Sequence, residues 1–125
     1  MGQKVKIETP KEVIEVDLEN VEMMLRKLDC ISGCRISIEH LTEFKSVDDV
    51  IATLTDPGAY EYPCNAPSAQ MFLTAIALMS EICMLNAVKD IISDNICEKF
   101  SNALGLFVAT NDARAFLILD PSYSD

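Results

Sequence analysis

The hydrophobic pattern is most extreme in residues 62–80, which are nineteen consecutive residues without a charged side chain. All 20 acidic and 10 basic residues lie outside this run. A helix that is apolar nearly all round must be covered on nearly all sides, so the pattern predicts a long buried helix over about residues 66–92. Gln70, Thr74 and Glu81 share one narrow sector of its helical wheel, which predicts a polar stripe that faces water.

The polar positions of this helix change sides after residue 83. They are Asn86, Lys89, Asp90 and Ser93, which cluster roughly opposite the first stripe. Two explanations fit this change. Either the helix bends near residues 83–86, or its two halves are covered by different elements of the fold.

The amino-terminal third predicts a β-hairpin followed by a helix. Polar and apolar residues alternate in residues 4–8, and residues 13–16 make a second short strand after a turn at Pro10. Asp17 is placed to cap a helix whose apolar residues fall on one face as far as residue 28.

The middle of the chain predicts a third strand and a short helix. Residues 35–41 alternate in polarity, which is the period of a half-buried strand. Ser46 and Asp49 have the spacing of a capping box ahead of a helix over residues 47–54. An Asp-Pro-Gly sequence ends this helix, and a loop follows over residues 58–67.

The carboxyl-terminal part predicts one further helix and a second hairpin. The helix begins near Ser93 and ends at Gly105, where glycine can adopt the left-handed conformation that closes helices. Residues 106–110 and 113–119 flank an Asn-Asp turn and predict two strands. The second of them is apolar on both faces, which is typical of an interior strand.

These elements define the predicted fold. It is an α+β domain with a largely antiparallel sheet of about five strands and about four helices, in the order β-β-α-β-α-α-α-β-β, around one long apolar helix. At 125 residues the chain has the commonest size of a single compact domain, so we assign residues 1–125 to one domain.

Charge narrows the classes of function. The net charge of −10 repels phosphate, and the basic residues are scattered, so nucleic-acid binding is not expected. No glycine-rich phosphate-binding loop occurs, and we expect no cofactor. Membrane insertion is not expected either, because polar residues and Glu81 interrupt the apolar segment.

Five cysteines are an odd number for a chain without an export signal, which favours free thiols in the reducing cytoplasm. Cys30 and Cys34 with His40 and Cys64 could offer zinc ligands, but a second close pair is missing, so no metal is predicted.

No catalytic group is assembled in the sequence. His40 is the one histidine, and nothing places it beside a cysteine as a nucleophile's base would require. Glu81 would become a proton donor if it were buried, although its place in the polar stripe favours contact with water. We therefore predict that the protein is not an enzyme.

The leading hypothesis is a non-catalytic acidic interaction protein, such as a small immunity-type inhibitor, antidote or virus-encoded blocker that binds a basic protein partner. The predicted partner-binding residues combine acidic side chains with two tyrosines: Glu12, Glu15, Asp17, Glu19, Glu22, Asp48, Asp49, Asp56, Tyr60 and Tyr62. One alternative is a small-molecule-binding regulatory domain or minor enzyme with a pocket beside Glu81, Cys83 and His40. Another is a structural homodimer whose long helix is covered by a second copy.

Overall fold

A computed structural model of the chain describes residues 3–56, 58 and 66–122. Its strands and α-helices are, in chain order, β1 (Lys4–Glu8), β2 (Val13–Asp17), α1 (Leu18–Ser32), α2 (Val47–Leu54), α3 (Pro67–Lys89) and α4 (Asp94–Thr110). Two 3₁₀ helices lie at Ile38–Glu43 and Ala113–Leu119. The predicted loop over residues 58–67 lies mostly outside the described residues.

The amino-terminal hairpin is confirmed. β1 and β2 pair antiparallel in a register that places Ile7 opposite Ile14, and both side chains are buried. The residues next to them in each strand point to the exposed outer face, so burial alternates along the hairpin. Glu8 also forms an isolated parallel bridge with Ser46, which brings the start of α2 against the free side of β1.

The four predicted helices are present, with some altered ends. α1 continues to Ser32 and is closed by Gly33, whose φ of 74° is left-handed. The capping box of α2 is confirmed, since Ser46 and Asp49 exchange side-chain and backbone hydrogen bonds. α4 runs through Gly105 and ends at Asn111, which adopts the left-handed conformation instead.

The predicted sheet of about five strands is wrong. The described residues form a mostly helical fold whose one sheet has two strands. The first error lies in the middle of the chain, where residues 34–37 belong to no strand and residues 38–43 form a 3₁₀ helix. Side chains rather than a neighbouring strand satisfy this backbone: Gln70 Oε1 accepts the Ser37 N–H at 2.7 Å, and Asp29 Oδ1 accepts the Ile36 N–H at 2.8 Å.

The second error is the predicted carboxyl-terminal hairpin. Its first arm is the end of α4, and its second arm is the 3₁₀ helix Ala113–Leu119. The buried residues of that arm are Ala113, Phe116 and Leu119, a spacing of three that matches three residues per turn. Asp112 caps it by accepting the Arg114 N–H at 3.0 Å.

α3 lies at the centre of the core. It packs against α1, α2, α4 and the 3₁₀ helix Ile38–Glu43, and its side chains are buried from residue 72 to residue 80. Among the described helices it is also the one long and apolar enough to cross a membrane, yet 61% of its most apolar stretch is buried inside the fold. Such burial is typical of the core helix of a globular domain.

The polar positions of α3 are explained by two different covers. Asn86 is buried, and its Oδ1 accepts the backbone N–H groups of Ile91 and Ile92 at 2.6 and 2.8 Å, so it holds the turn into α4. Gln70 and Thr74 are buried as well, which makes the predicted water-facing stripe wrong at those two positions. Of the two explanations for the change of sides, the structure therefore supports different covering elements.

Candidate interaction surface

The structure separates the predicted partner-binding residues into groups. Five of them lie on β2, on the turn before it or on the first turns of α1: Glu12, Glu15, Asp17, Glu19 and Glu22. Asp48, Asp49 and Asp56 lie in or just after α2. Tyr60 and Tyr62 lie outside the described residues.

The acids of α2 contribute mainly to local structure. Asp49 Oδ2 accepts the backbone N–H groups of Lys45 and Ser46 at 2.9 and 3.2 Å, so its charge is engaged in the capping box. Asp56 Oδ1 accepts the Gly58 N–H at 3.0 Å. Asp48 is exposed in the first turn of α2, where a negative charge interacts favourably with the helix dipole.

The acids near β2 differ in their ion pairs. Asp17 Oδ1 lies 3.1 Å from Lys4 Nζ, and Glu12 Oε1 lies 3.6 Å from Lys89 Nζ. Glu15 and Glu19 form no ion pair with any described residue and are exposed. Glu15 lies opposite Lys6 in the hairpin register without forming an ion pair with it, so both carboxylates are available to a partner.

Glu22 has a different environment. It lines an open groove between α1 and residues 35–38, together with Arg26 and Arg35. Both arginines pair with Asp29, at 3.1 and 3.4 Å. The same two arginines line an adjoining groove together with Glu19 and Glu22, so positive charge lies near both of these carboxylates.

Large exposed apolar side chains lie on β2 and in the last turns of α3, where Lys89 pairs with Glu12, and the sequence pattern did not identify them as exposed. Met84 and Val88 in the last turns of α3 are 66% and 86% exposed, and Val13 of β2 is 55% exposed. The signal that could have found them is the end of the apolar run of α3, where fewer elements remain to cover it. We define the edge surface as Glu12, Val13, Glu15, Asp17, Glu19, Met84 and Val88.

Glu81 marks one end of this surface. Burial raises the pKa of Glu81 above its ordinary value, hydrogen bonding to the Asn20 side chain opposes the rise, and Asp17 and Lys27 have smaller effects. These neighbours place Glu81 beside the junction of β2 and α1. The side chain is half-buried and thus partly wet, unlike the buried Gln70 and Thr74.

The residues of the small-molecule hypothesis are not brought together. His40 Nδ1 bonds Glu43 Oε2 at 2.6 Å, in a segment that meets α3 near Gln70. Gln70 precedes Glu81 by eleven residues, which is about 16 Å along a helix. Open grooves lie beside α1, the hairpin turn and α2, and neither His40 nor Glu81 lines any of these grooves.

The expectation of free thiols is wrong for three cysteines. Cys83 and Cys97 form a disulfide between α3 and α4, with their Cα atoms 5.6 Å apart, which lies in the usual range. Cys34 is disulfide-bonded as well, whereas Cys30 is a free, exposed thiol. Within the described ranges, no three His, Cys, Asp or Glu side chains are grouped to hold a metal ion.

Comparisons with known proteins give no relative for this chain. No protein-family model matches it, and neither curated proteins nor solved structures include a match.

Proposed function

We propose that the chain is a non-catalytic acidic interaction protein, a small inhibitor or antidote that binds a basic protein partner through the edge surface. The supporting observation is the combination of unpaired carboxylates at Glu15 and Glu19 with the exposed apolar side chains of Met84 and Val88. Each group supplies a different part of a protein-binding site.

The apolar side chains supply the centre of such a site. Protein interfaces commonly have a desolvated apolar centre and a polar rim, and methionine is enriched in them. Val88 is 86% exposed and Met84 is 66% exposed, so neither side chain is needed for the packing of α3 against the rest of the fold. Covering both with a partner would remove apolar area from water.

The carboxylates attract a basic partner and discriminate against acidic proteins. A net charge of −10 steers the approach of a basic protein, and like-charged proteins are repelled. Glu15 carries this charge on β2 and Glu19 carries it on the first turn of α1, whereas Asp49 and Asp56 are engaged locally in and after α2. The proposal therefore narrows the predicted acidic region to the hairpin side of the molecule.

The small-molecule pocket, the homodimer and the cytoplasmic location are the other predictions made from the sequence. No specific observation favours a small-molecule pocket, and the homodimer stays a prediction. The cytoplasmic location also stays a prediction, although its argument from free thiols is lost with the Cys83–Cys97 disulfide.

The test compares two variants of equal charge. Glu15→Lys/Glu19→Lys and Glu39→Lys/Glu98→Lys each replace two exposed carboxylates and change the net charge from −10 to −6. Wild type and both variants are used to capture proteins from the native host at low and physiological salt, followed by mass spectrometry. We expect a basic partner that wild type and the Glu39/Glu98 variant retain, that the Glu15/Glu19 variant loses, and that rising salt weakens.

Two results would contradict the proposal. One is the recovery of no partner by the wild-type chain. The other is a partner that all three proteins bind equally and that salt does not affect, because neither charge nor the edge surface would then contribute to binding.

A further inference from the structure

The outer edge of β2 has unpaired backbone groups. In an antiparallel pair, hydrogen-bonded residue pairs alternate with pairs whose N–H and C=O groups point away from the partner strand. Thr9 and Glu12 form a hydrogen-bonded pair, since the Thr9 N–H donates to the Glu12 C=O at 2.9 Å. Counting along the register from this pair makes Val13 and Glu15 outward-pointing residues.

The other side of the hairpin confirms this assignment. Glu8 lies opposite Val13, and its outward N–H donates to the Lys45 C=O at 2.8 Å. That contact covers one end of the free side of β1. On the β2 side, no described residue bonds the N–H or C=O of Val13 or Glu15.

The last turns of α3 run beside this open edge. Glu81 lies near Asp17 at one end of β2, and Lys89 Nζ lies 3.6 Å from Glu12 Oε1 at the other. Met84 and Val88 lie between these two points, three and seven residues after Glu81, and therefore on the same face of the helix. The helix thus follows the edge over about 12 Å from Glu81 to Lys89, and the two exposed apolar side chains lie within this stretch.

We infer that an extended segment of the basic partner binds as an added strand along the open edge of β2 and covers Met84 and Val88. The inference rests on the proposed function and specifies how the partner is held. Backbone hydrogen bonds to Val13 and Glu15 would supply affinity, and alternate side chains would supply specificity, as in other cases of strand addition.

The pleat of β2 fixes what the partner segment must contain. Partner residues that exchange hydrogen bonds with Val13 and Glu15 place their side chains on the outer face, beside the Glu15 carboxylate. The residues between them point to the inner face, toward Met84 and Val88. The segment therefore alternates basic residues, whose backbone bonds β2, with apolar residues, whose backbone faces away.

The charge of β2 disfavours a second copy of this chain as the occupant. A two-fold pairing that used the whole of Val13–Asp17 would place Glu15 directly opposite Glu15 of the other copy. Like charges directly opposite each other destabilise a strand pair. A lysine or arginine at that position would instead form a cross-strand ion pair.

Backbone methylation of a peptide probe tests the predicted pairing. The probe is an acetylated and amidated heptapeptide, KVKVKVK, titrated into the full chain while amide hydrogen exchange of Val13 and Glu15 is followed by NMR. Two matched peptides carry N-methyl groups on two lysine amides or on two valine amides. We expect slowed exchange with the unmodified and valine-methylated peptides, and binding at least about tenfold weaker with the lysine-methylated peptide.

Two protein variants test the apolar contact. Met84→Ser/Val88→Ser should weaken binding of the unmodified peptide by about tenfold. Leu106→Ser/Val108→Ser changes two exposed apolar residues of α4 and should leave the affinity unchanged. Equal binding of the two methylated peptides, or unchanged exchange at Val13 and Glu15 at saturating peptide, would overturn the inference.

The captured host partner separates this inference from the proposed function. If Glu15→Lys/Glu19→Lys loses the partner while Met84→Ser/Val88→Ser retains it and Glu15 exchange is not slowed, the acidic surface binds without an added strand. The inference then fails and the proposed function stands. A dimer that slows exchange at Val13 and Glu15 without peptide would show a second copy on the edge and would also overturn the inference.

Discussion

The two halves of α3 are both apolar, but they differ in what covers them. From residue 72 to residue 82 every side chain except that of Glu81 is buried, whereas Met84 and Val88 in the last turns are largely exposed. The first half is surrounded by the other helices of the fold. The second half meets the hairpin on one side and the turn held by Asn86 on the other. Apolar composition therefore indicates that a helix needs cover, and the neighbouring elements decide how much of it is left for a partner.

The largest expected difference between the halves comes from side-chain truncation. Phe72 is buried, with its ring centroid 5.6 Å from that of Phe116 and 6.1 Å from that of Phe107. Phe72→Ala should lower the free energy of unfolding by about 3–5 kcal/mol, because it removes a buried ring and leaves a cavity. Met84→Ala should change it by less than about 0.5 kcal/mol, as exposed substitutions usually do. Urea denaturation measures both, and similar losses would show that the last turns of α3 are buried.

The disulfide at the boundary of the two halves should have the next largest effect. Cys83 and Cys97 are 14 residues apart, and closing a loop of that length stabilises a folded chain by about 3 kcal/mol. Cys83→Ser/Cys97→Ser should lose about that amount, and dithiothreitol should lower the stability of the wild type at least as much, since it also reduces the disulfide of Cys34. Cys30→Ser is the control, since Cys30 is free and exposed. Alkylation of Cys83 and Cys97 in the unreduced, unfolded protein would contradict the pairing.

Gln70 tests how the buried half accommodates a polar side chain. Its amide accepts the Ser37 N–H at 2.7 Å and donates to the Arg35 C=O at 3.0 Å. Gln70→Leu should cost about 2 kcal/mol, because both backbone groups lose this partner in a part-buried site. Thr74→Val is the control, since the Thr74 hydroxyl bonds only a carbonyl of its own helix among the described residues. A loss of less than about 0.5 kcal/mol for Gln70→Leu would show that water replaces these bonds.

Gln70 also explains why the third strand could not be predicted. The polar–apolar alternation of residues 35–41 correctly indicates that Ile36 is buried. It does not identify the hydrogen-bonding partner of the backbone. Here the partners are the side chains of Asp29 in α1, seven residues before Ile36, and of Gln70 in α3, 33 residues after Ser37. Short-range alternation therefore identified Ile36 as a buried position but assigned the segment wrongly to a sheet.

The elements that were predicted correctly depend on local signals. The capping box of Ser46 and Asp49, the hairpin alternation and the apolar face of α1 all act within a few residues. The carboxyl-terminal arm had a local signal too, the spacing of three between Ala113, Phe116 and Leu119. Its apolar character on both faces made it resemble an interior strand instead.

The candidate surface was predicted only in part. Acidic residues before and within α1 are visible in the sequence, and Glu15 and Glu19 are exposed as expected for a partner surface. The open edge of β2 and the exposure of Met84 and Val88 depend on which elements are neighbours in the folded chain. The predicted five-stranded sheet gave β2 and α3 the wrong neighbours, so neither the open edge nor these exposed side chains could be predicted from it.

The smallest expected effect concerns Glu81, at the boundary between the covered and uncovered parts of α3. Burial raises its pKa above the ordinary 4.5, so the folded chain holds this proton more tightly than the unfolded chain. The stability from this group is therefore present at low pH and declines as the pH rises above 4.5 through the raised pKa. Glu81→Gln removes that decline and should make the protein more stable at pH 7 by less than about 0.5 kcal/mol, since the site is partly wet.

Urea denaturation of wild type and Glu81→Gln from pH 4 to pH 7 measures this difference. The two proteins should have nearly equal stability at the acid end, where the Glu81 carboxyl is protonated and neutral like glutamine, and they should diverge as the pH rises. Glu98→Gln on the exposed side of α4 gives the background effect of removing one carboxylate. A Glu81→Gln protein that is less stable than wild type at pH 7 would mean that the ionised carboxylate is favourably bonded, and Glu81 would then belong to the covered half of α3 rather than to its boundary.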